Sequence, residues 1–200
     1  LKAVLRMIAT SHAYRAQSLT LKKEPAADSY IYAGPLVKRM TAEQLVDAIR
    51  QVTQTQGNKA ENKFPAQQIE KQTGTATDAF TARASMQQSD FLQRALGRPN
   101  REQVVTSRPQ ELTTLQALDL ANGEALNTMI QQGATALLNA HKDKTPDQMI
   151  TLVYLRALSR DASPAERTIC LAMLGSPMMQ EGLEDMLWSV FMLPEFQHVR

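Results

Sequence analysis

Residues 145–200 decide the fold, and they read TPDQMITLVYLRALSRDASPAERTICLAMLGSPMMQEGLEDMLWSVFMLPEFQHVR. Hydrophobic side chains recur in this stretch at intervals of three and four residues, in three successive runs, which is the period of amphipathic helices. The first two runs open with Thr-Pro-Asp-Gln at 145–148 and Ser-Pro-Ala-Glu at 163–166. Each opening supplies a hydroxyl N-cap, a proline in the first turn and a Gln or Glu that can reach back to the cap. The stretch therefore predicts three helices.

The ends and inner faces of these three helices also follow from the pattern. Gly175 and Pro177 end the second helix, and Pro194 ends the third. The side chains predicted to face the core are Met149, Leu152, Val153 and Leu158 in the first helix, Ile169, Cys170, Met173 and Leu174 in the second, and Leu183, Met186, Leu187, Val190 and Phe191 in the third.

An apolar stripe opens the chain. Leu1, Val4, Leu5 and Ile8 recur at helical spacing, with basic side chains on the opposite side of the same helix. We expect this helix to run to about residue 15 and to bury its stripe in the core.

Two capping boxes predict further helix starts. Thr41-Ala42-Glu43-Gln44 precedes a helix, and Thr113 with Gln116 caps another that ends at Asn122-Gly123. Residues 126–138 form a third helical pattern, in which Gly133 and Ala134 would permit another helix to approach closely. The inward-facing residues predicted for these helices are Leu45, Val46, Ile49 and Val52, then Leu115, Leu118 and Ala121, then Leu126, Met129, Ile130, Leu137 and Leu138.

These patterns predict an all-α fold, an irregular helical bundle of about seven or eight helices with a long polar loop. We expect residues 1–200 to form a single helical domain, with a basic lobe made of residues 1–53 and 78–98. Residues 54–77 contain two glycines, a proline and only two strong hydrophobes, which predicts a loop or insertion. Residues 112–196 form the predicted C-terminal helical bundle.

Charge is divided unevenly along the chain. Residues 1–100 hold 14 Lys and Arg against 8 Asp and Glu, whereas residues 101–200 hold 8 against 12. The net charge of +2 is too small to indicate nucleic-acid binding. Either the two halves attract each other, which we favour, or the basic half faces an acidic partner. No run of eighteen apolar residues occurs, so no membrane span is predicted.

The sequence predicts no catalytic, metal-binding or cofactor-binding residue. His12, His141 and His198 are far apart, and none has a partner at ligand spacing, which favours solvated or structural histidines. Cys170, the one cysteine, lies on an apolar helix face and is predicted to be a buried thiol. The chain contains no GxSxG elbow, glycine-rich phosphate loop or CxxCH haem sequence.

Four arginines form the predicted anion-binding site. Arg94, Arg98, Arg101 and Arg108 concentrate around a polar connection, where bidentate guanidinium groups could hold a phosphate or an acidic polysaccharide. The alternative, which we favour, is that these side chains are solvated or cap helices.

Two further features have competing interpretations. Trp188 with Phe191 and Phe196 could form a sugar-binding platform, but their apolar neighbours favour core packing. Six of the ten methionines lie in the last three helices, where they either fill the core, as we favour, or line a docking groove for a partner helix.

A series of short motifs resembles, in order, a C-terminal domain of unknown function found in large exported proteins of the planctomycete type. The motifs are Leu-Arg-Met-Ile-Ala-Thr-Ser-His-Ala-Tyr-Arg at 5–15, Met-Thr-Ala-Glu-Gln-Leu-Val-Asp-Ala-Ile at 40–49, Gly-Arg-Pro-Asn-Arg at 97–101, Thr-Leu-Gln-Ala-Leu-Asp-Leu-Ala-Asn-Gly at 114–123, Tyr-Leu-Arg-Ala-Leu-Ser-Arg at 154–160, Ser-Pro-Ala-Glu-Arg at 163–167, and Glu-Asp-Met-Leu-Trp-Ser-Val-Phe-Met-Leu-Pro-Glu-Phe at 184–196.

The resemblance implies an exported, multidomain parent in which cytochrome c-like or lectin-like modules often lie upstream. We therefore expect a non-catalytic interaction or scaffolding module. Its expected partners are other domains of the same polypeptide, a protein partner or an acidic polysaccharide. The alternative is an accessory domain of an oxidoreductase or a polysaccharide-processing enzyme whose catalytic groups lie upstream.

Overall fold

The computed structural model describes residues 1–16, 34–55, 84, 91–99 and 113–199, and this part of the chain is mostly helical. The all-α prediction is confirmed, and seven of the described helices have nine residues or more. The elements are α1 (Lys2–Thr10), α2 (His12–Arg15), β1 (Lys38–Arg39), α3 (Ala42–Thr53), α4 (Phe91–Ala95), α5 (Thr114–Asn122), α6 (Glu124–Ala140), α7 (Pro146–Leu158), α8 (Pro164–Leu174), α9 (Gln180–Met192), α10 (Pro194–Gln197) and β2 (His198–Val199). None of the helices described is long and apolar enough to cross a membrane.

The chain forms two compact units. The first, unit 1, comprises Leu1–Arg39 with His198–Arg200, and the second, unit 2, comprises Met40–Gln197. Unit 1 contains α1, α2 and an antiparallel pair of two-residue strands, in which Lys38 of β1 lies opposite Val199 of β2. The finer division into a basic lobe, an insertion and a bundle stays a prediction, since much of residues 54–77 and 78–98 lies outside the described ranges.

The predicted capping boxes are present at all four helix starts. The hydroxyl groups of Thr41, Thr113, Thr145 and Ser163 each accept a hydrogen bond from the backbone N–H three residues on, and the Gln or Glu at that position accepts one from the N–H of the cap. These bonds satisfy backbone donors that the helix itself leaves without partners. Each box therefore fixes where its helix begins.

The core of unit 2 is built around α9. Leu183, Met186, Leu187, Val190 and Phe191 of this helix are all buried. They form one face, because residues three and four apart lie on the same side of a helix. This face packs against α6, α7 and α8, while α3 packs against α6 and α7.

The close approach predicted at Gly133 is confirmed. A Cβ atom at Gly133 in α6 would lie 2.7 Å from Cβ of Thr53 at the end of α3, closer than two such atoms can come. Ala134 beside it is fully buried. The missing side chain at residue 133 therefore makes room for the side chain of Thr53 against the backbone of α6.

Two inner faces predicted from the sequence are wrong in part. In α8 Ile169 is 57% exposed, because the buried stripe runs through Cys170 and Leu174, one helical turn apart. In α5 Leu118 is exposed, and so is Ala121; the buried side chains are instead Gln116 and Leu120. The buried row of α8, Cys170 and Leu174, is narrower than the stripe that the hydrophobic pattern predicted. The side chain of Leu115, the remaining residue of the predicted inner face of α5, lies outside the described residues.

The stripe of α1 is not in the core. Leu1, Val4, Leu5 and Ile8 are between 51% and 95% exposed, and α1 has no buried residue. The hydrophobic spacing predicted a helix here, but α1 ends at Thr10 and not near residue 15, because Ser11 is extended and caps α2. The spacing also carries no information about what covers the apolar side. The placement of this helix in the core was therefore wrong.

Candidate functional site

Arg98, one of the four arginines of the predicted anion site, is held by neighbours within unit 2. Its Nε atom lies 3.6 Å from Oε1 of Glu43 in α3, and its side chain is 12% exposed. One Nη atom of Arg98 donates two hydrogen bonds. The first goes to the backbone oxygen of Ala84 at 2.7 Å, and the second goes to Oε1 of Gln93 in α4. These contacts join the end of α4 to α3.

The peptide groups at Ala84 are held from both sides. Oδ1 of Asp47 in α3 accepts a hydrogen bond from the N–H of Ala84 at 2.8 Å, and Arg98 donates to its carbonyl oxygen. The methyl group of Ala84 is fully buried. Arg98 therefore anchors the backbone at residue 84 as well as the end of α4.

Of the other three arginines of the predicted anion site, the structure describes only one. Arg94 is exposed on α4, whereas Arg101 and Arg108 lie outside the described residues. The anion-binding site thus stays a prediction. Within the described ranges, the guanidinium of Arg98 already has acceptors in Glu43, Gln93 and the backbone.

A second group of charged side chains connects three helices of unit 2. Arg160 follows α7 and donates two hydrogen bonds of 2.9 Å to the carboxylate of Glu166, in the first turn of α8. It also donates to both oxygens of Glu195 in α10, at 2.9 to 3.2 Å. We call these three residues the Arg160 cluster. A planar guanidinium with five donors suits this task, because it can serve two carboxylates at once.

The hydrogen bonds of the Arg160 cluster shift the pKa values of Glu166 and of Arg160 in opposite directions. Hydrogen bonds from Arg160 lower the pKa of Glu166 to about 2. Hydrogen bonds to Glu166 and Glu195 raise the pKa of Arg160 above its ordinary value. Glu166 and Arg160 are therefore charged at neutral pH, and their ion pair, together with the hydrogen bonds from Arg160 to Glu195, connects α7, α8 and α10.

Tyr154 and Cys170 form a buried pair beside the Arg160 cluster. The Tyr154 hydroxyl lies 3.7 Å from Sγ of Cys170, and the Arg160 guanidinium carbon lies 5.6 Å from the centre of the Tyr154 ring. Burial raises the pKa of both the hydroxyl and the thiol, so each is neutral at physiological pH. The prediction of a buried thiol is confirmed.

The three histidines lie on separate elements. His12 is in α2, His141 follows the last residue of α6, and His198 is in β2. Within the described ranges, no three side chains of His, Cys, Asp or Glu come together as a metal site. Nε2 of His141 is buried and has no hydrogen-bond partner among the residues that the structure describes.

The aromatic residues of α9 and α10 separate into two groups. Phe191 and Phe196 are buried, with ring centres 4.9 Å apart, which confirms core packing for these two. Trp188 is 37% exposed and lies on the outer face of α9, together with Glu181, Glu184 and Asp185. The three carboxylates and the indole therefore share one surface.

The exposed side of α1 is the candidate interaction surface. We call Leu1, Val4, Leu5 and Ile8 the α1 stripe. A shallow groove of about 490 Å³ lies on another side of the same helix and is lined by Lys2, Ala3, Arg6, Met7 and Thr10. Lys2, Arg6 and Thr10 are spaced by four residues, so they form one row along the helix.

Two of these features were not predicted from the sequence as sites. Glu195 is 35 residues from Arg160, and no spacing rule connects them. The capping box did single out Glu166, but only as a helix cap. The α1 stripe was recognised as a pattern, yet its exposure depends on tertiary structure, which the pattern does not contain.

Comparison with protein families matches residues 1–174 to the family described as PSD1, protein of unknown function (DUF1553). This match confirms the expectation of an uncharacterised domain, whereas the exported, planctomycete-type setting stays a prediction. Comparisons with curated proteins and with solved structures found no match. Because the family match covers most of the 200 residues, the chain belongs to the PSD1 (DUF1553) family.

Proposed function

We propose that this chain is a non-catalytic interaction and scaffolding module of a larger exported protein, and that it docks through the α1 stripe. The observation that carries the proposal is the exposure of all four apolar side chains of the stripe. Single exposed hydrophobic residues are ordinary, but a contiguous apolar row on one helix is typical of an interaction site.

The length of α1 supports the proposal. An isolated helix of nine residues is only marginally stable in water, because most helical stability in proteins comes from tertiary packing of the apolar side. None of the side chains of α1 is buried. A partner that covers the α1 stripe would supply the packing that keeps this segment helical.

Unit 2 supports the scaffolding part of the proposal. Its described charged groups connect helices: Arg160 joins three of them, and Arg98 joins α4 to α3. Such contacts hold a rigid body in one arrangement. A helical unit held by such contacts, in the same chain as a short docking helix, would suit a module that positions other domains.

The resemblance of the motifs to exported multidomain proteins supports the identity of the partner. Under this proposal, the α1 stripe binds another protein domain, and that domain belongs to the same polypeptide. Docking within one polypeptide needs no high intrinsic affinity, because the tether raises the effective concentration of the two surfaces.

Site-specific photo-crosslinking tests the proposal. A benzophenone amino acid is placed at Val4, in the stripe, or at Thr10, on the opposite side of α1, and the protein is irradiated in the cells that produce it. We expect Val4 to crosslink to one defined protein sequence and Thr10 to give a much weaker product. Mass spectrometry of the crosslinked peptides identifies the partner.

A second substitution within the stripe is the matched control. Ile8→Gln removes part of the apolar surface one turn from Val4, and it should reduce the Val4 crosslink without changing the circular dichroism of the purified chain, since Ile8 is exposed. Equal crosslinking from Val4 and Thr10, or no crosslink from either, would show that the α1 stripe is not a docking surface.

A further inference from the structure

We infer that the groove on the basic side of α1 binds an acidic oligosaccharide, a short chain of sugars that carry carboxylates. The described residues that line this groove are Lys2, Ala3, Arg6, Met7 and Thr10. At 100° per residue, they centre on the side of α1 opposite the α1 stripe. The inference therefore goes beyond the proposed function and does not depend on what the stripe binds.

The two cations of the groove have no partner in the described part of the chain. The side chains of Lys2 and Arg6 form neither an ion pair nor a hydrogen bond with the described residues. Both side chains are exposed, so a ligand can reach them from outside. Residues 1–16 contain no Asp or Glu that neutralises them from within the same segment. The groove therefore presents positive charge that favours an anionic occupant.

The charge of unit 1 as a whole favours the same kind of occupant. Unit 1 contains eight Lys and Arg against two Asp and Glu, whereas unit 2 contains 14 against 18. Positive charge concentrated in one region attracts anions from a distance and raises their concentration near the surface. The groove lies in the unit that carries this charge.

The lining of the groove combines polar and apolar groups, which suits a sugar ring. Lys2, Arg6 and Thr10 offer ammonium, guanidinium and hydroxyl groups, whereas Ala3 and Met7 offer apolar surface. A sugar has hydroxyl groups at the edge of its ring and C–H groups on its faces, and a sugar acid adds a carboxylate that a guanidinium binds through two hydrogen bonds. The volume of about 490 Å³ is typical of sites for small organic molecules.

Two other classes of anion fit this groove less well. Single-stranded nucleic acids gain affinity by stacking on aromatic side chains, and none of the described residues of the groove is aromatic. Extended peptides bind through main-chain hydrogen bonds, whereas the backbone groups along a helix are already bonded to each other. A helical peptide needs an apolar row to pack against, and that row lies on the opposite side of α1. The acidic oligosaccharide is therefore the occupant that we propose.

The test measures the binding of oligogalacturonate to the 200-residue chain by isothermal titration calorimetry. The matched ligand is the methyl ester of the same oligosaccharide, which keeps the sugar rings and removes their charge. We expect the acid to bind at least about tenfold more tightly than the ester. This difference should shrink as salt is raised, because salt screens exposed charges.

Two arginine variants locate the binding site. Arg6→Gln removes a cation of the groove and should weaken the binding of oligogalacturonate about fivefold. Arg15→Gln is the control, since it removes an exposed cation of α2 that does not line the groove, and it should change the binding by less than about twofold. Both side chains are exposed, so the circular dichroism of the chain should not change.

Each contrary outcome has a distinct meaning. Equal binding of the acid and the ester, or binding of neither, overturns the inference. A loss with Arg15→Gln as large as that with Arg6→Gln also overturns it, because the attraction would then belong to unit 1 in general. Tighter binding of a polyglutamate peptide overturns it in favour of an acidic peptide, and equally tight binding of inorganic phosphate overturns it in favour of single ions. The Val4 crosslink is measured independently, so the proposed function stands or fails by itself.

Discussion

Arg160 shows how one side chain can determine the arrangement of several helices. It follows α7, contacts the first turn of α8 through Glu166, and contacts α10 through Glu195. Ion pairs at the surface of a protein are usually weak, because water screens them and long side chains lose freedom when they pair. Here the guanidinium of Arg160 binds Glu166 through two hydrogen bonds and also binds a second carboxylate. We therefore expect this cluster to stabilise the fold more than a typical surface ion pair does.

The pH dependence of stability tests the Arg160 cluster. The pKa of Glu166 is lowered from 4.5 to about 2 in the folded chain, so its contribution is complete above the unfolded pKa and is lost as the pH falls toward 2. We expect Glu166→Gln to reduce the free energy of unfolding by about 1 kcal/mol at neutral pH. That difference should disappear progressively below pH 4.5, as measured by urea unfolding followed by circular dichroism.

Asp185→Asn is the control for this measurement. Asp185 is an exposed carboxylate on the outer face of α9 and takes no part in the Arg160 cluster. Its removal should change the free energy of unfolding much less. A Glu166→Gln difference that stays constant between neutral pH and pH 3 would contradict the ionic explanation, and a purely steric or capping role would then account for it.

At the scale of elements, local chemistry predicted helix starts well and helix faces less well. The boxes at Thr145 and Ser163 depend on residues within one turn, so the sequence contains all the information they need. Which side of α5 faces the core depends on its neighbours in three dimensions. Gln116 is both a capping residue and buried, and Leu120 one turn later is buried with it. Counting hydrophobic residues alone favoured Leu118, because it gave no weight to a buried glutamine.

The contact between α3 and α6 gives a prediction at this scale. Gly133→Ala would place a Cβ atom 2.7 Å from Cβ of Thr53, so the two helices must move apart. The intrinsic preference of a helix for Ala over Gly, about 1 kcal/mol, would otherwise stabilise the variant. We expect the clash to prevail and the free energy of unfolding to fall by about 1 to 3 kcal/mol, as measured by urea unfolding.

Gln132→Ala is the matched control, since it is the adjacent position on α6 and is exposed. It tests helix propensity without contact to α3, and it should leave stability unchanged or slightly increased. If Gly133→Ala were as stable as Gln132→Ala, the close approach of α3 and α6 would not contribute to the fold.

At the scale of the whole molecule, the buried apolar side chains are distributed unequally. Every buried hydrophobic residue in the described part of the chain, from Ala42 to Phe196, belongs to unit 2. The buried residues include those of the helical bundle predicted for residues 112–196, and also residues of α3 and α4. The sequence pattern did not predict that the apolar stripe of α1, which is equally regular, would be exposed. A hydrophobic pattern shows which side of a helix is apolar. Only the folded structure shows whether other residues of the same chain bury that side.

This distribution predicts that unit 2 folds without the first 39 residues. A chain reduced to Met40–Gln197 keeps all the described core residues, the four capping boxes and the Arg160 cluster. We expect its midpoint of thermal unfolding, followed by circular dichroism at 222 nm, to lie within about 4 °C of the full chain, which corresponds to about 1 kcal/mol for a domain of this size.

A further truncation shows whether that measurement is sensitive to loss of core. Ending the chain at residue 193 removes α10, and with it the buried ring of Phe196 and the Glu195 carboxylate that binds Arg160. Loss of a buried phenylalanine costs about 3 to 5 kcal/mol, so this shorter chain should unfold at least about 6 °C lower than Met40–Gln197. If removal of residues 1–39 lowered the midpoint of thermal unfolding as much as removal of α10 does, unit 1 would contribute to the stability of unit 2. The α1 stripe would then be a structural element of the fold, because its removal would act on the same core that α10 completes.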